Sequence, residues 1–175
     1  MSEQRQIFLH GPFGRRQFKE VLGSVMAALL LTPDVIWLVS PWLSDFVLLD
    51  NTAGQWDALN PSWGSRELSF SELLADALNA GCSIRIVSRD DAPSRRFIQH
   101  LDNRRDSTSD LRFLLSDEVH TKGFLTKECF FKGSMNFTYS GTHRNDEHIM
   151  LTQDAAVISD AFLEFESRYL FPECT

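Results

Sequence analysis

Phe18, Val21, Leu22, Val25, Met26 and Leu29 recur at the spacing of one helix face, which predicts an amphipathic helix from about Gly14 to Leu31, stopped by Pro33. The next apolar run, Val35-Ile36-Trp37-Leu38-Val39, is short, mostly β-branched and ends at Ser40-Pro41, so it reads as a strand covered on both faces. No period holds from Asp50 to Ser65, and a stretch of that length suits a functional or mobile loop. A second helix runs from a cap at Ser69 or Ser71 to Ala80, with Leu73, Leu74, Ala77 and Leu78 on its apolar face and Gly81 as its stop. Ser83 to Ser88 alternates as a strand, Pro93 falls in the first turn of a third helix reaching about Asn103, and Leu111 to Leu115 is a further short strand.

From His120 onward the strands come closer together. Val119 to Thr126, a turn at Lys127-Glu128, Cys129 to Gly133 and about Glu147 to Thr152 precede a final amphipathic helix, Asp154 to Leu170, carrying Val157, Ile158, Phe162 and Phe165. This order predicts one α/β domain over residues 1–175, with a mixed, largely parallel central sheet flanked by helices. No internal repeat or low-complexity segment interrupts it.

Composition narrows the picture. At 175 residues and 43% hydrophobic, the chain can bury a real core and needs neither a metal nor a disulfide to hold it. Cys82, Cys129 and Cys174 are odd in number and match neither a zinc site nor a CxxC pair, which points to reduced thiols and a cytoplasmic setting. The most apolar stretch, Val25 to Val39, is broken by Pro33 and Asp34, and the N-terminus lacks the order of a signal peptide, so no stable membrane association is expected. A net charge of −7 argues against a protein that coats DNA, because such proteins carry a large positive field. An anionic substrate would have to be held locally.

The chemistry concentrates in His120-Thr121-Lys122, Gly133-Ser134-Met135-Asn136-Phe137-Thr138 and Asn145-Asp146-Glu147. Within a strand, His120 and Lys122 would share a face, and a hairpin closing at Lys127-Glu128 would return Gly133, Ser134 and Asn136 beside them. Such a set suits a phosphodiester. A neutral imidazole can attack phosphorus, Lys122 and Asn136 can stabilise the equatorial oxygens, and Glu147 can hold the ring nitrogen opposite the attacking one. No metal or other cofactor is required by this chemistry, and the segment lacks the clustered carboxylates of a two-metal nuclease.

These residues resemble the HKD signature of the phospholipase D superfamily, H-x-K followed by G-S-x-N, with Asn145-Asp146-Glu147 similar to the downstream N-x-E. IWLVSPW (Ile36 to Trp42) and SIRIVSR (Ser83 to Arg89) also resemble the family's early strands, so the likeness runs from Val35 onward. It implies a phospholipase D-like sandwich in which His120 forms a phosphohistidine while a second histidine protonates the leaving oxygen and then activates water. Members with a single motif generally form homodimers whose active site lies at the twofold interface. Short single-motif members resemble bacterial nucleases, which makes a metal-independent endonuclease acting on DNA the leading expectation. The alternatives are a phospholipase, or a catalytically weakened binding or assembly subunit in a bacterial defence or DNA-modification system, with an ATPase or helicase as a candidate partner. One departure stands out: Lys127 occupies the place of the usual motif aspartate, with Glu128 as its candidate stand-in.

Arg89, Arg95 and Arg96, within the one arginine-rich stretch, and His143 and Arg144 just after the motif are the candidate nucleic-acid contacts. Trp42 is expected in the core. Trp56 and Trp63 in the aperiodic loop are open between base stacking, an interface and packing of their own loop. The segment Gly11 to Arg16 reads as a turn and helix cap rather than a phosphate site.

Overall fold

The computed structural model describes residues 4–172. It opens with strand β1 (Gln4–Phe8), helix α1 (Pro12–Leu31) and strand β2 (Val35–Val39), followed by a small hairpin of β3 (Val47–Asp50) and β4 (Glu67–Ser69). Helix α2 (Phe70–Ala80), strand β5 (Ser83–Ser88), helix α3 (Ala92–Asp102) and strand β6 (Leu111–Leu115) complete the first half. The second half holds β7 (Gly123–Leu125), β8 (Phe130–Gly133), the short helix α4 (Tyr139–His143), β9 (His148–Thr152) and helix α5 (Ala155–Arg168).

Seven strands form one mixed sheet in the order β1-β9-β8-β7-β2-β5-β6. Only β2 with β5 and β5 with β6 pair in parallel; the other four pairings are antiparallel, so the sheet is less parallel than the alternation of elements suggests. The reason lies in the second half, where short hairpins replace helical crossovers.

The sheet is covered on both sides. Ile36, Leu38, Ile84, Ile86, Phe124, Phe131 and Ile149 pack with residues of α1, α2 and α3, while Trp37, Val39, Val87, Leu125 and Phe130 pack with Ile158, Phe165 and Tyr169 beneath α5. β2 thus buries alternate side chains on opposite faces, as its continuous apolar run requires. Ser69 caps α2 in a reciprocal box with Glu72, and Gly81 ends it in the left-handed conformation. Asp91 caps α3, placing Pro93 in the first turn.

The aperiodic segment is an ordered loop. Asn51 is fully buried, donates to Asp57 Oδ1 and the Gly64 carbonyl at 2.8 Å each, and accepts from the Trp56 amide at 2.7 Å. Trp63 is buried and donates its indole N–H to Asp76 at 2.6 Å. Trp56 and Trp63 therefore pack their own loop against the core. Among the described residues, no helix is long and apolar enough to cross a membrane.

Candidate active site

Strand directions bring one end of the sheet together. β2 and β5 run parallel, so Ser40 and Arg89 leave the sheet side by side, with the Arg89 amide donating to the Pro41 carbonyl at 3.1 Å. β7 runs antiparallel to β2 with Gly123 opposite Val39, and β8 returns so that Lys132 pairs with Gly123. β9 then starts beside Gly133, which pairs with Ile149. The segments 40–42, 89, 120–122, 134–136 and 147–148 all emerge at this end.

His120, Thr121, Lys122, Lys132, Gly133, Ser134, His148, Gln6 and Met150 line one open groove there. His120 is exposed. Its segment departs from the expected strand: β7 begins only at Gly123, so His120 and Lys122 lie in the extended approach to the sheet rather than on one face of it. Lys122 Nζ donates to the His120 carbonyl at 3.0 Å, which ties the cation to the backbone of the nucleophile candidate.

Arg89 holds the imidazole. Its Nε donates to the Val119 carbonyl at 3.1 Å and a terminal nitrogen lies 3.1 Å from His120 Nδ1. A guanidinium only donates, so Nδ1 accepts, and the proton of the neutral ring sits on Nε2. The same guanidinium lies over the Trp42 indole, 4.8 Å from its centroid. Trp42 is 44% exposed, not a core residue, because it follows the end of β2 and stands outside both apolar layers.

Glu147 does not reach His120. Its carboxylate accepts from the Ser134 hydroxyl and, at 3.4 Å, from Asn145 Nδ2. The Ser134 hydroxyl in turn accepts from the His148 amide at 3.1 Å, and the Ser134 amide donates to the His148 carbonyl at 3.1 Å. Gly133 permits this seam: a Cβ there would lie 2.2 Å from the His148 carbonyl oxygen. Asn136 stands outside the groove, with its side-chain amide oxygen 3.4 Å from Ser40 Oγ. Ser40, fully buried, donates its hydroxyl proton to the Trp42 carbonyl at 2.8 Å and accepts from the Phe137 amide at 3.1 Å.

The remaining candidates fall in two places. Arg95 and Arg96 are exposed on α3, and Arg95 is already ion-paired with Asp90. His143 ends α4 and Arg144 caps it; the Tyr139 ring stacks on His143 with centroids 4.3 Å apart, and the Arg144 guanidinium lies 5.4 Å from the Tyr139 centroid. Lys19 Nζ is 2.9 Å from His143 Nε2, and His143 Nδ1 lies 2.7 Å from Thr142 Oγ1. Burial first, then the Lys19 cation, hold the His143 imidazole below its ordinary value. Burial likewise pushes the Lys19 ammonium down, against the opposing pull of Glu67.

Lys127 sits at the other end of the β7–β8 hairpin. Its amide donates to Asp34 Oδ2 at 2.8 Å and its ammonium lies 3.4 Å from Asp34 Oδ1, while Glu128 is exposed. Lys132 and His148 in the groove escape prediction from the residue pattern; their placement beside Gly133 and Glu147 is the one sequence signal they carry. Among the described residues, no three His, Cys, Asp or Glu side chains are grouped so as to hold a metal ion.

A histidine, two lysines and a serine–carboxylate pair gathered where the strands of a mixed sheet end are the parts of a phosphoryl-handling α/β protein. The family model described as Cardiolipin synthase, PLD-like domain matches residues 48–169, and the chain belongs to this phospholipase D-like family. Membership places it among phosphodiesterases at the family level. The fold is similar to that of NucT from Helicobacter pylori (TM-score 0.61, 13% identity, 95% of each chain covered). It is similar too to Nuc from Salmonella typhimurium, described as a phospholipase D family member (TM-score 0.61, 13% identity, 96% of this chain and 94% of that one). Polyphosphate kinase from Porphyromonas gingivalis matches at TM-score 0.61 and 12% identity over 98% of this chain and 27% of its own. At these identities the likeness establishes the fold, and no curated protein matches the chain.

Proposed function

We propose that the protein is a metal-independent phosphodiesterase that cleaves DNA as a homodimer through a phosphohistidine on His120. The observation that carries this reading is the convergence of His120, Lys122, Ser134 and the Glu147-bound seam at one end of the sheet. Lys122 and Lys132 supply positive charge for the phosphoryl oxygens, and the side-chain amide of Asn136, beyond the groove lining, supplies a neutral donor.

Arg89 controls the ring. A guanidinium binds a phosphate, doubly and with charge assistance, better than it binds an imidazole lone pair. Arrival of the phosphodiester therefore draws Arg89 off Nδ1, the ring proton moves to Nδ1 through solvent, and the Nε2 lone pair faces phosphorus. Nε2 attacks, the P–O bond to the leaving strand breaks, and the leaving oxygen takes a proton from His120 of a second copy. That second histidine then removes a proton from water, which displaces His120 and leaves a phosphomonoester. Glu147 acts here as the holder of Ser134, a positioning role.

The test is cleavage of supercoiled plasmid and single-stranded DNA in EDTA, beside a folded His120→Ala variant, with light scattering on both. Cleavage by the wild-type dimer that the variant loses is the expected result. Cleavage that survives in the variant, or turnover by a monomer, overturns the mechanism; no cleavage by the wild type overturns the nuclease assignment.

A further inference from the structure

Two aromatic rings stay close to half exposed: Trp42 at 44%, linked through Arg89 to His120 at the phosphoryl groove, and Tyr139 at 47%, at the start of α4. The Arg89 guanidinium lies over Trp42, while Tyr139 carries two flat partners, the His143 imidazole stacked at an interplanar angle of 12° and the Arg144 guanidinium 5.4 Å from its centroid. Both rings are wired to the Asn136 segment. Ser40 Oγ joins the Trp42 carbonyl to the Phe137 amide, and the Tyr139 amide donates to Ser44 Oγ at 3.0 Å while the Ser44 amide donates to the Phe137 carbonyl at 3.2 Å. Through Arg89, a single guanidinium spans the gap between the Trp42 indole and the His120 imidazole.

We infer that Trp42 and the Tyr139–His143 stack are stacking platforms for unpaired bases, and that the substrate is single-stranded nucleic acid. This rests on the phosphodiesterase reading and names its substrate class. Bases in a duplex are paired and already stacked, so they offer no free π-face to a ring beside the backbone, whereas an unpaired strand offers one at every nucleotide. Charge points the same way. A chain of net charge −7 cannot draw affinity from a broad positive field, and a few local cations leave stacking to supply the rest. Arg89 and Arg144 serve both needs, since each sits over an aromatic ring and retains N–H groups for phosphate.

The experiment compares fluorescence anisotropy of oligothymidylate, an abasic strand of equal length and a duplex, all bound by protein in a His120→Asn background that stops turnover. The oligothymidylate should bind more tightly than either competitor. Trp42→Ala should lower the ratio of unpaired to duplex affinity by about fivefold to a hundredfold, the range that loss of one base–aromatic stack produces. Trp42→Phe should restore most of that ratio, and Tyr139→Ala should lower it as well. Circular dichroism on each variant verifies the fold. Equal affinity for thymidylate and abasic strands, equal weakening of all ligands by Trp42→Ala, or no binding to any of them overturns the inference. Hydrolysis of bis(p-nitrophenyl) phosphate, which has no nucleobase, by the wild type and its loss in His120→Asn test the underlying reading separately. Base-dependent binding by a protein that hydrolyses nothing would overturn that reading alone.

Discussion

Gly133→Ala puts a methyl group where β8 and β9 meet at the mouth of the groove. Its Cβ would lie 2.2 Å from the His148 carbonyl oxygen, and 3.0 Å from both the carbonyl carbon and Ile149 Cα. Ordinary contact begins near 3.4 Å, so the two strands must part by about 1.2 Å, and the opposing atoms are backbone that cannot swing aside. Overpacking of this kind costs about 1–3 kcal/mol. For a chain of this length each kcal/mol lowers Tm by about 2–4 °C, which gives a drop of about 2–12 °C. The shift falls on the seam that seats Ser134 against His148 and Glu147. A displacement of about 1 Å in a positioned group costs about a hundredfold in rate, so kcat/KM should fall by that order. Thermal unfolding by circular dichroism and oligonucleotide cleavage, measured on the same preparation, test the two effects together. A variant that melts with the wild type and cleaves as fast would refute the claim that close backbone approach at residue 133 builds the site.

Glu147→Gln removes the charged acceptor of Ser134 and Asn145, worth about 1.5–3 kcal/mol for a hydrogen bond to a charged group, so turnover should drop about tenfold to a hundredfold. In a cycle with Ser134→Ala the double variant should be no worse than the poorer single one; additive losses would show that the two act separately. Because His143 binds a proton less readily when folded than when unfolded, stability should be full above about pH 6.5 and decline as pH falls below it. His143→Gln should flatten that slope in a Tm-against-pH series, and an unchanged slope would remove His143 as its source. Lys127→Ala should leave turnover intact and shift stability by about 1 kcal/mol or less, as expected for an exposed ammonium on Asp34. Asp34→Ala should cost more in Tm, because its carboxylate also accepts from the Val35 and Lys127 amides; the reverse ranking would contradict this assignment. Arg144→Ala should reduce the salt slope of single-strand binding by about 0.7 per lost phosphate contact, and Arg95→Ala by less, because Asp90 already neutralises it. Equal slopes for the two variants would reject that distinction.

The elements with a long apolar period were legible in the sequence, and so was their layering. α1, α2, β2 and β5 each carry a face that only a buried position explains, and β2 carries two. β1 was not legible because Ile7 is its one buried residue, too little for a period. The β3–β4 hairpin was hidden by the loop between its strands, whose order comes from buried Asn51 and Trp63 rather than from any repeat. α4 is five residues long and capped by Thr138, shorter than the period that would reveal it. Trp42 was misplaced because an aromatic after an apolar strand reads as core, and only the end of β2 decides otherwise.

At the site, residue types were legible and their facing was not. His120 lies ahead of β7, and one strand separates β7 from β9 on one side and from β5 on the other, so each is two strand spacings away. That is a span of about 10 Å either way at the usual strand spacing. Glu147, ahead of β9, has a short side chain and meets Ser134 at the end of the intervening β8 first. Arg89, after β5, has the longer side chain, and the chain itself shortens its reach. To pass from β6 to β7, residues 116–122 must cross the ends of β5 and β2, and they do so with the Ser116 amide on the Ser88 carbonyl and the Val119 carbonyl under Arg89. His120 is thereby carried to the guanidinium. The partner of the imidazole is therefore set by strand order, which neither the spacing of the motif nor its residue types encode.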